Sequence, residues 1–81
     1  MKITTNLFAS LTRYKPEGIG TDSWMVECEE GTMVSTLLQE IGVPLEEVAV
    51  AVIFINGVHG KMESVLKDMD RLGVFPPVGG G

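Results

Sequence analysis

Polar and apolar residues alternate from Lys2 to Phe8, with Ile3, Thr5 and Leu7 on one face of a strand and Lys2, Thr4, Asn6 and Phe8 on the other. The first face suits a core; the second suits water, except for Phe8. Ala9 to Ser23 carries Pro16, Gly18 and Gly20 and reads as a loop joining two strands. Alternation resumes over Trp24–Glu29, with Trp24, Val26 and Cys28 set against Met25, Glu27 and Glu29. The period then changes. Val34, Leu37, Leu38 and Ile41 follow the i, i+3, i+4, i+7 spacing of one helical stripe, with Thr32 as its expected N-cap and Gly42 where a left-handed residue ends a helix. Pro44-Leu45-Glu46-Glu47 reads as the opening of a short helical turn.

Val48 to Ile55 is apolar on both faces, as expected of a central buried strand. Asn56-Gly57 signals a two-residue hairpin, with a short return strand over Val58–Met62. A last strand spans Leu72–Phe75, and the chain closes on Pro76-Pro77-Val78-Gly79-Gly80-Gly81. One helix of about three turns covers one face of a small mixed sheet and no more, so the fold class is α+β in two layers.

The length of 81 residues makes one small domain with a thin margin of stability. Hydrophobic residues at 44% and charged residues at 21% are ordinary for a folded chain and exclude disorder. The balance of 11 acidic against 6 basic side chains, a net charge of −5, argues against nucleic acid and for a partner with a basic surface. Cys28 is the only cysteine, so neither an internal disulfide nor a cysteine-based zinc site is available. No apolar run approaches the roughly 20 residues that span a bilayer, and no signal-peptide pattern opens the chain, so a cytoplasmic protein without membrane contact is expected.

Chemistry concentrates at the end of the chain. Pro76 and Pro77 fix φ and carry the backbone stiffly away from the last strand, and Gly79, Gly80 and Gly81 have no Cβ to obstruct entry into a narrow channel. The reactive group such a tail presents is the Gly81 α-carboxylate. Elsewhere the candidates are weak. Cys28 has the inward parity of a core residue, and His59 lies in the hairpin with neither a second histidine nor a serine–acid pair. Gly57-Val58-His59-Gly60-Lys61 is too short for a phosphate loop. Glu29-Glu30 and Glu46-Glu47 read as solvated ends, Asp68 and Asp70 as shapers of the turn before the last strand. No metal site can be assembled.

The stretch Leu66-Lys67-Asp68-Met69-Asp70-Arg71-Leu72-Gly73-Val74-Phe75-Pro76-Pro77-Val78-Gly79-Gly80-Gly81 resembles the end of the small subunit of molybdopterin synthase and, more distantly, the thiamine-pathway sulfur carrier. The opening Leu7-Phe8-Ala9 and the Leu11–Tyr14 stretch resemble the same family, though Met69 stands where its pattern has glycine. The resemblance implies a β-grasp, ubiquitin-like domain over residues 1–75 and a flexible extended tail over 76–81. It also implies a carrier, not an enzyme, with no bound cofactor. An adenylating enzyme of the E1 type would use ATP to activate Gly81, and a sulfur-donor protein would convert the adenylate to a thiocarboxylate. The large subunit of molybdopterin synthase would then receive the sulfur.

Thiamine synthesis, tRNA thiolation and conjugation to lysines remain open as alternative destinations, as does a plain interaction domain. First and last strands are neighbours in β-grasp folds, so Phe8 and Phe75 are expected to form one exposed patch. That patch, with Pro76, Pro77, Val78, Gly79 and Gly80, would bind the partner.

Overall fold

The computed structural model describes residues 1–77. The expectations placed on Val78, Gly79, Gly80 and Gly81 concern residues outside that range. Five strands, β1 (Lys2–Leu7), β2 (Ser23–Glu27), β3 (Val52–Ile55), β4 (Val58–Gly60) and β5 (Arg71–Phe75), form one sheet in the order β2-β1-β5-β3-β4. β1 and β5 run parallel, and the other pairs are antiparallel. Helix α1 (Val34–Ile41) covers one face, followed by the single turn α2 (Leu45–Val48). This is the β-grasp arrangement, with first and last strands side by side at its centre.

The alternation in β1 does what its parity requires. Ile3, Thr5 and Leu7 are buried, and the Thr5 hydroxyl is satisfied by donating to the Ile3 carbonyl at 3.3 Å. They meet Val34, Leu37 and Leu38 of α1 and the inward Leu72, Val74 and Ile53. Gly42 ends α1 at φ 115°, and its N–H and that of Val43 both donate to the Leu38 carbonyl. This left-handed exit is the one glycine adopts without Cβ strain.

Thr32 does not cap α1. The N-cap is Met33, with no side-chain bond, and the Thr32 hydroxyl donates to the Glu29 carbonyl at 2.6 Å. The Ser64 carbonyl instead accepts the Val34 N–H at 3.0 Å, and the Met62 carbonyl accepts that of Ser35 at 2.9 Å. Backbone from a distant segment supplies the acceptors that a side-chain cap would have provided.

Other expectations are shifted. The apolar run Val48–Ile55 splits, because Val48 belongs to α2 and only Val52–Ile55 is strand. The central strand is β5, while β3 leaves Val52 and Phe54 half-buried on the outer face. The return strand stops at Gly60 rather than Met62. Ala9–Ser23 is not loop throughout. Ala9–Tyr14 forms a 3₁₀ helix that buries Leu11, entered through Ala9 at φ 51°.

The Asn56-Gly57 turn is the expected one, with φ of 53° and 80° at its two central residues. Asn56 donates from Nδ2 to Asp70 Oδ1 at 2.7 Å and accepts the Arg71 N–H at 2.9 Å. Asp70 Oδ2 accepts the Lys67 N–H at 2.7 Å, and Asp68 Oδ1 accepts that of Lys2 at 2.8 Å. Both acids thus shape the approach to β5. Met69 between them sits at φ 70°, which accounts physically for a glycine in the pattern it departs from.

Candidate functional site at the root of the tail

β5 places Leu72 and Val74 in the core, so Arg71, Gly73 and Phe75 face outward. β1 is extended past Leu7 by a bond from the Phe8 N–H to the Val74 carbonyl at 3.0 Å, which sets Phe8 beside the end of β5. The two half-buried rings stack with centroids 4.1 Å apart and planes within 1° of parallel. The rings lie over Gly73, where an added Cβ would make ordinary van der Waals contact with Phe8 Cε2 at 3.5 Å and Phe75 Cε1 at 3.8 Å.

Phe54, paired with Gly73 in the ladder, meets the edge of Phe75 at 5.8 Å and 85°. His59, across from Phe54 on β4, adds a second edge contact at 5.7 Å and 84°. Four rings, from β3, β4, β5 and the residue that follows β1, therefore run across the outer sheet face. Phe54 is the member that the sequence reading missed, because an unbroken apolar run hides which of its residues face out. The hairpin register set by Asn56-Gly57 contains the signal, since it pairs Phe54 with the outward His59.

Pro76 and Pro77 leave this cluster between two depressions. One, of about 430 Å³, is lined by Ala9, Val52, Phe54 and Phe75. The other, of about 290 Å³, is lined by Ser10, Leu11, Glu47 and Val50. The 3₁₀ helix and the α2–β3 connection thus flank the tail's root from two sides. Side chains tie them together. Arg13 Nη2 bonds both Glu47 carboxylate oxygens, at 2.9 and 3.1 Å, and the Tyr14 hydroxyl also donates to Glu47. The Tyr14 hydrogen bond chiefly holds the Glu47 carboxyl below the usual carboxylate range; desolvation opposes it, and the hydrogen bond and charge of Arg13 add to the lowering. Glu47 is therefore not a merely solvated helix end, whereas Glu29, Glu30 and Glu46 are exposed.

Cys28 is half-buried against the core, and His59 is exposed. Among the described residues no group of three or more His, Cys, Asp or Glu side chains converges, and no helix is long and apolar enough to cross a membrane. Over the described residues, the site is a surface from which a backbone departs.

Comparison with known proteins gives this geometry a context. The model of the ThiS family matches residues 8–81. Among solved structures, a putative molybdopterin converting factor subunit 1 from Pyrococcus furiosus is 31% identical, with a TM-score of 0.70 over 96% of this chain and 99% of that one. The solution structure of small archaeal modifier protein 1 from Methanosarcina acetivorans is 26% identical, with a TM-score of 0.67 over 99% and 96%. A complex of subunits 1 and 2 of the molybdopterin-converting factor from Helicobacter pylori has a matching chain at 23% identity and a TM-score of 0.58, both chains covered in full. A search of curated proteins by sequence found no match. A β-grasp sheet with its parallel first and last strands, and a family match reaching from Phe8 to Gly81, lead to one assignment: the chain belongs to the ThiS family of ubiquitin-like sulfur carriers.

Proposed function

We propose that this chain carries sulfur as a thiocarboxylate on Gly81 and delivers it in the assembly of molybdopterin. The observation that carries the reading is the exit of Pro76-Pro77 from the stacked Phe8–Phe75 pair, in a chain whose family match runs on through Gly81. A rigid aromatic platform suits docking, and a stiff dipeptide followed by residues without side chains suits insertion into a partner's narrow site.

The chemistry needs two partners in turn. In the first, an adenylating enzyme, a Gly81 carboxylate oxygen attacks the α-phosphorus of ATP and pyrophosphate leaves. Hydrosulfide released by a sulfur-donor protein then attacks the acyl carbon, AMP leaves with the C–O bond electrons, and the sulfur loses its proton. The resulting thiocarboxylate sulfur is nucleophilic and would act in the active site of a larger synthase subunit, with this chain as cosubstrate. The Pyrococcus furiosus neighbour supports the molybdopterin destination, and the Helicobacter pylori neighbour was solved with a second subunit. Phe8, Phe75, Pro76, Pro77, Val78, Gly79 and Gly80 are the proposed partner-binding residues.

A second reading is conjugation to lysines, favoured by the likeness to the Methanosarcina acetivorans modifier. ATP–pyrophosphate exchange with the cognate activating enzyme tests the shared first step. The wild-type chain should support exchange, and a chain lacking Gly81 should fold and support none. Exchange at the wild-type rate without Gly81 would sink both readings. An isopeptide-linked ladder in cells, with no sulfur on the tail, would favour the modifier.

A further inference from the structure

The chain's acids are unevenly placed. A broad groove at one side of the molecule is lined by Glu27, Glu29, Glu40 and Asp68. The outer sheet face is different. A shallow groove of about 500 Å³ runs across it, lined among others by Thr4, Asn6, Phe54, Arg71, Gly73 and Phe75, and Arg71 is its only charged residue. It shares Phe54 and Phe75 with the depression beside Pro76 and Pro77, so it continues the docking platform away from the tail. Arg71 is exposed and its backbone is held at both ends, donating to Asn56 Oδ1 at 2.9 Å and accepting the Asn56 N–H at 2.8 Å. Its guanidinium has no acidic partner among the described residues, where Arg13–Glu47 is the one ion pair.

We propose that this groove receives a segment of the activating enzyme that presents a carboxylate to Arg71 beside an apolar side chain seated on Phe54 and Phe75. This deepens the sulfur-carrier reading and rests on it. It also reverses, for this face, the expectation that a net charge of −5 selects a basic partner. A guanidinium fixed at its base, in a groove that Phe54 and Phe75 also line, can match a carboxylate with two parallel hydrogen bonds. Docking would shield that pair from water, so the charge would set both partner choice and salt dependence. An acid-free groove on an acidic chain also repels a partner's carboxylates less than the groove lined by Glu27, Glu29, Glu40 and Asp68 does.

The test is binding to the activating enzyme by calorimetry across a salt series, with sulfur loading of the same samples read by intact mass. Arg71→Glu should weaken binding about tenfold or more, and Arg71→Lys, which keeps the charge but loses the two parallel hydrogen bonds, should weaken it measurably but less. Lys61→Glu, the same charge change outside the groove, should bind as the wild type does. Arg71→Glu should also flatten the salt dependence, which a merely structural role would not do. A loaded wild type with Arg71→Glu binding unchanged would overturn this inference alone. A wild type that neither binds nor loads would overturn it together with the carrier reading. A concentration-dependent dimer lost in Arg71→Glu would assign the groove to a second copy of the chain and overturn it as well.

Discussion

Phe8 and Phe75 are neither core residues nor free surface side chains. Their stacking at 4.1 Å ties each ring to its partner, and aromatic pairs contribute about 0.5–1.5 kcal/mol beyond area burial. With the burial lost by a half-buried ring added, Phe8→Ala and Phe75→Ala should each cost about 1–2.5 kcal/mol of folding stability by urea titration. Leu37→Ala, with a fully buried side chain on α1, should cost about 2–5 kcal/mol. Binding to the activating enzyme should show the opposite ranking, with a loss of about 2 kcal/mol or more for either phenylalanine variant. If the phenylalanine variants unfold as readily as Leu37→Ala, the platform is core and docking lies elsewhere.

Met69 tests backbone strain in isolation. At φ 70° and well exposed, it occupies a left-handed conformation that costs an L-residue about 1–2 kcal/mol, partly offset by the roughly 0.5–1 kcal/mol of extra chain entropy that glycine carries. Met69→Gly should raise the urea midpoint by an amount equivalent to about 0.5 kcal/mol, with the slope unchanged. A lower midpoint would show that the methionine side chain contributes contacts outweighing its strain.

Among the elements, legibility followed periodicity. The stripe of α1 and the alternation of β1 were plain because one face of each is buried and the other wet. The Asn56-Gly57 hairpin was plain because two left-handed residues in succession demand that chemistry. The Val48–Ile55 run was not, since residues apolar in every direction carry no period, and Val48 packs from a helical turn as well as it would from a strand. The 3₁₀ helix was hidden too, because its one core anchor, Leu11, lies among residues otherwise fit for a loop. Thr32 failed as a cap because acceptors from residues 62 and 64 arrive through tertiary structure. Of the site, the Phe8–Phe75 pairing followed from parity and the resemblance, whereas the Arg13–Tyr14–Glu47 tie joins segments more than thirty positions apart and no local pattern announces it.

That tie and the β5 turn each give an element-scale prediction. The Glu47 carboxyl titrates below its ordinary range when folded, so its contribution to stability is fully present above the unfolded value and is lost as pH falls through the folded one. The melting temperature of Glu47→Gln should lie below that of the wild type at neutral pH, and the gap should close under acid conditions. A gap independent of pH would mean that packing, not charge, holds the 3₁₀ helix to α2. Asp70→Ala would remove the acceptor of both the Lys67 N–H and the Asn56 amide, at about 0.5–1.5 kcal/mol for each bond and so about 1–3 kcal/mol in all. Guanidinium titration should show a loss in that range, and none would mean that water replaces the carboxylate.

At the scale of the molecule, the two faces of the sheet differ in kind. One face is closed by α1 and holds the aliphatic core; the other carries four rings, an uncommitted arginine and the exit of the tail. The central claim is that the Gly81 carboxylate becomes a thiocarboxylate. Its most direct measurement is the mass of the C-terminal peptide after the chain is incubated with its activating enzyme, ATP and a sulfur donor. The account predicts replacement of one oxygen by sulfur, confined to that peptide and absent without ATP. A peptide of unchanged mass, in a sample where the enzyme demonstrably consumes ATP on this chain, would contradict it.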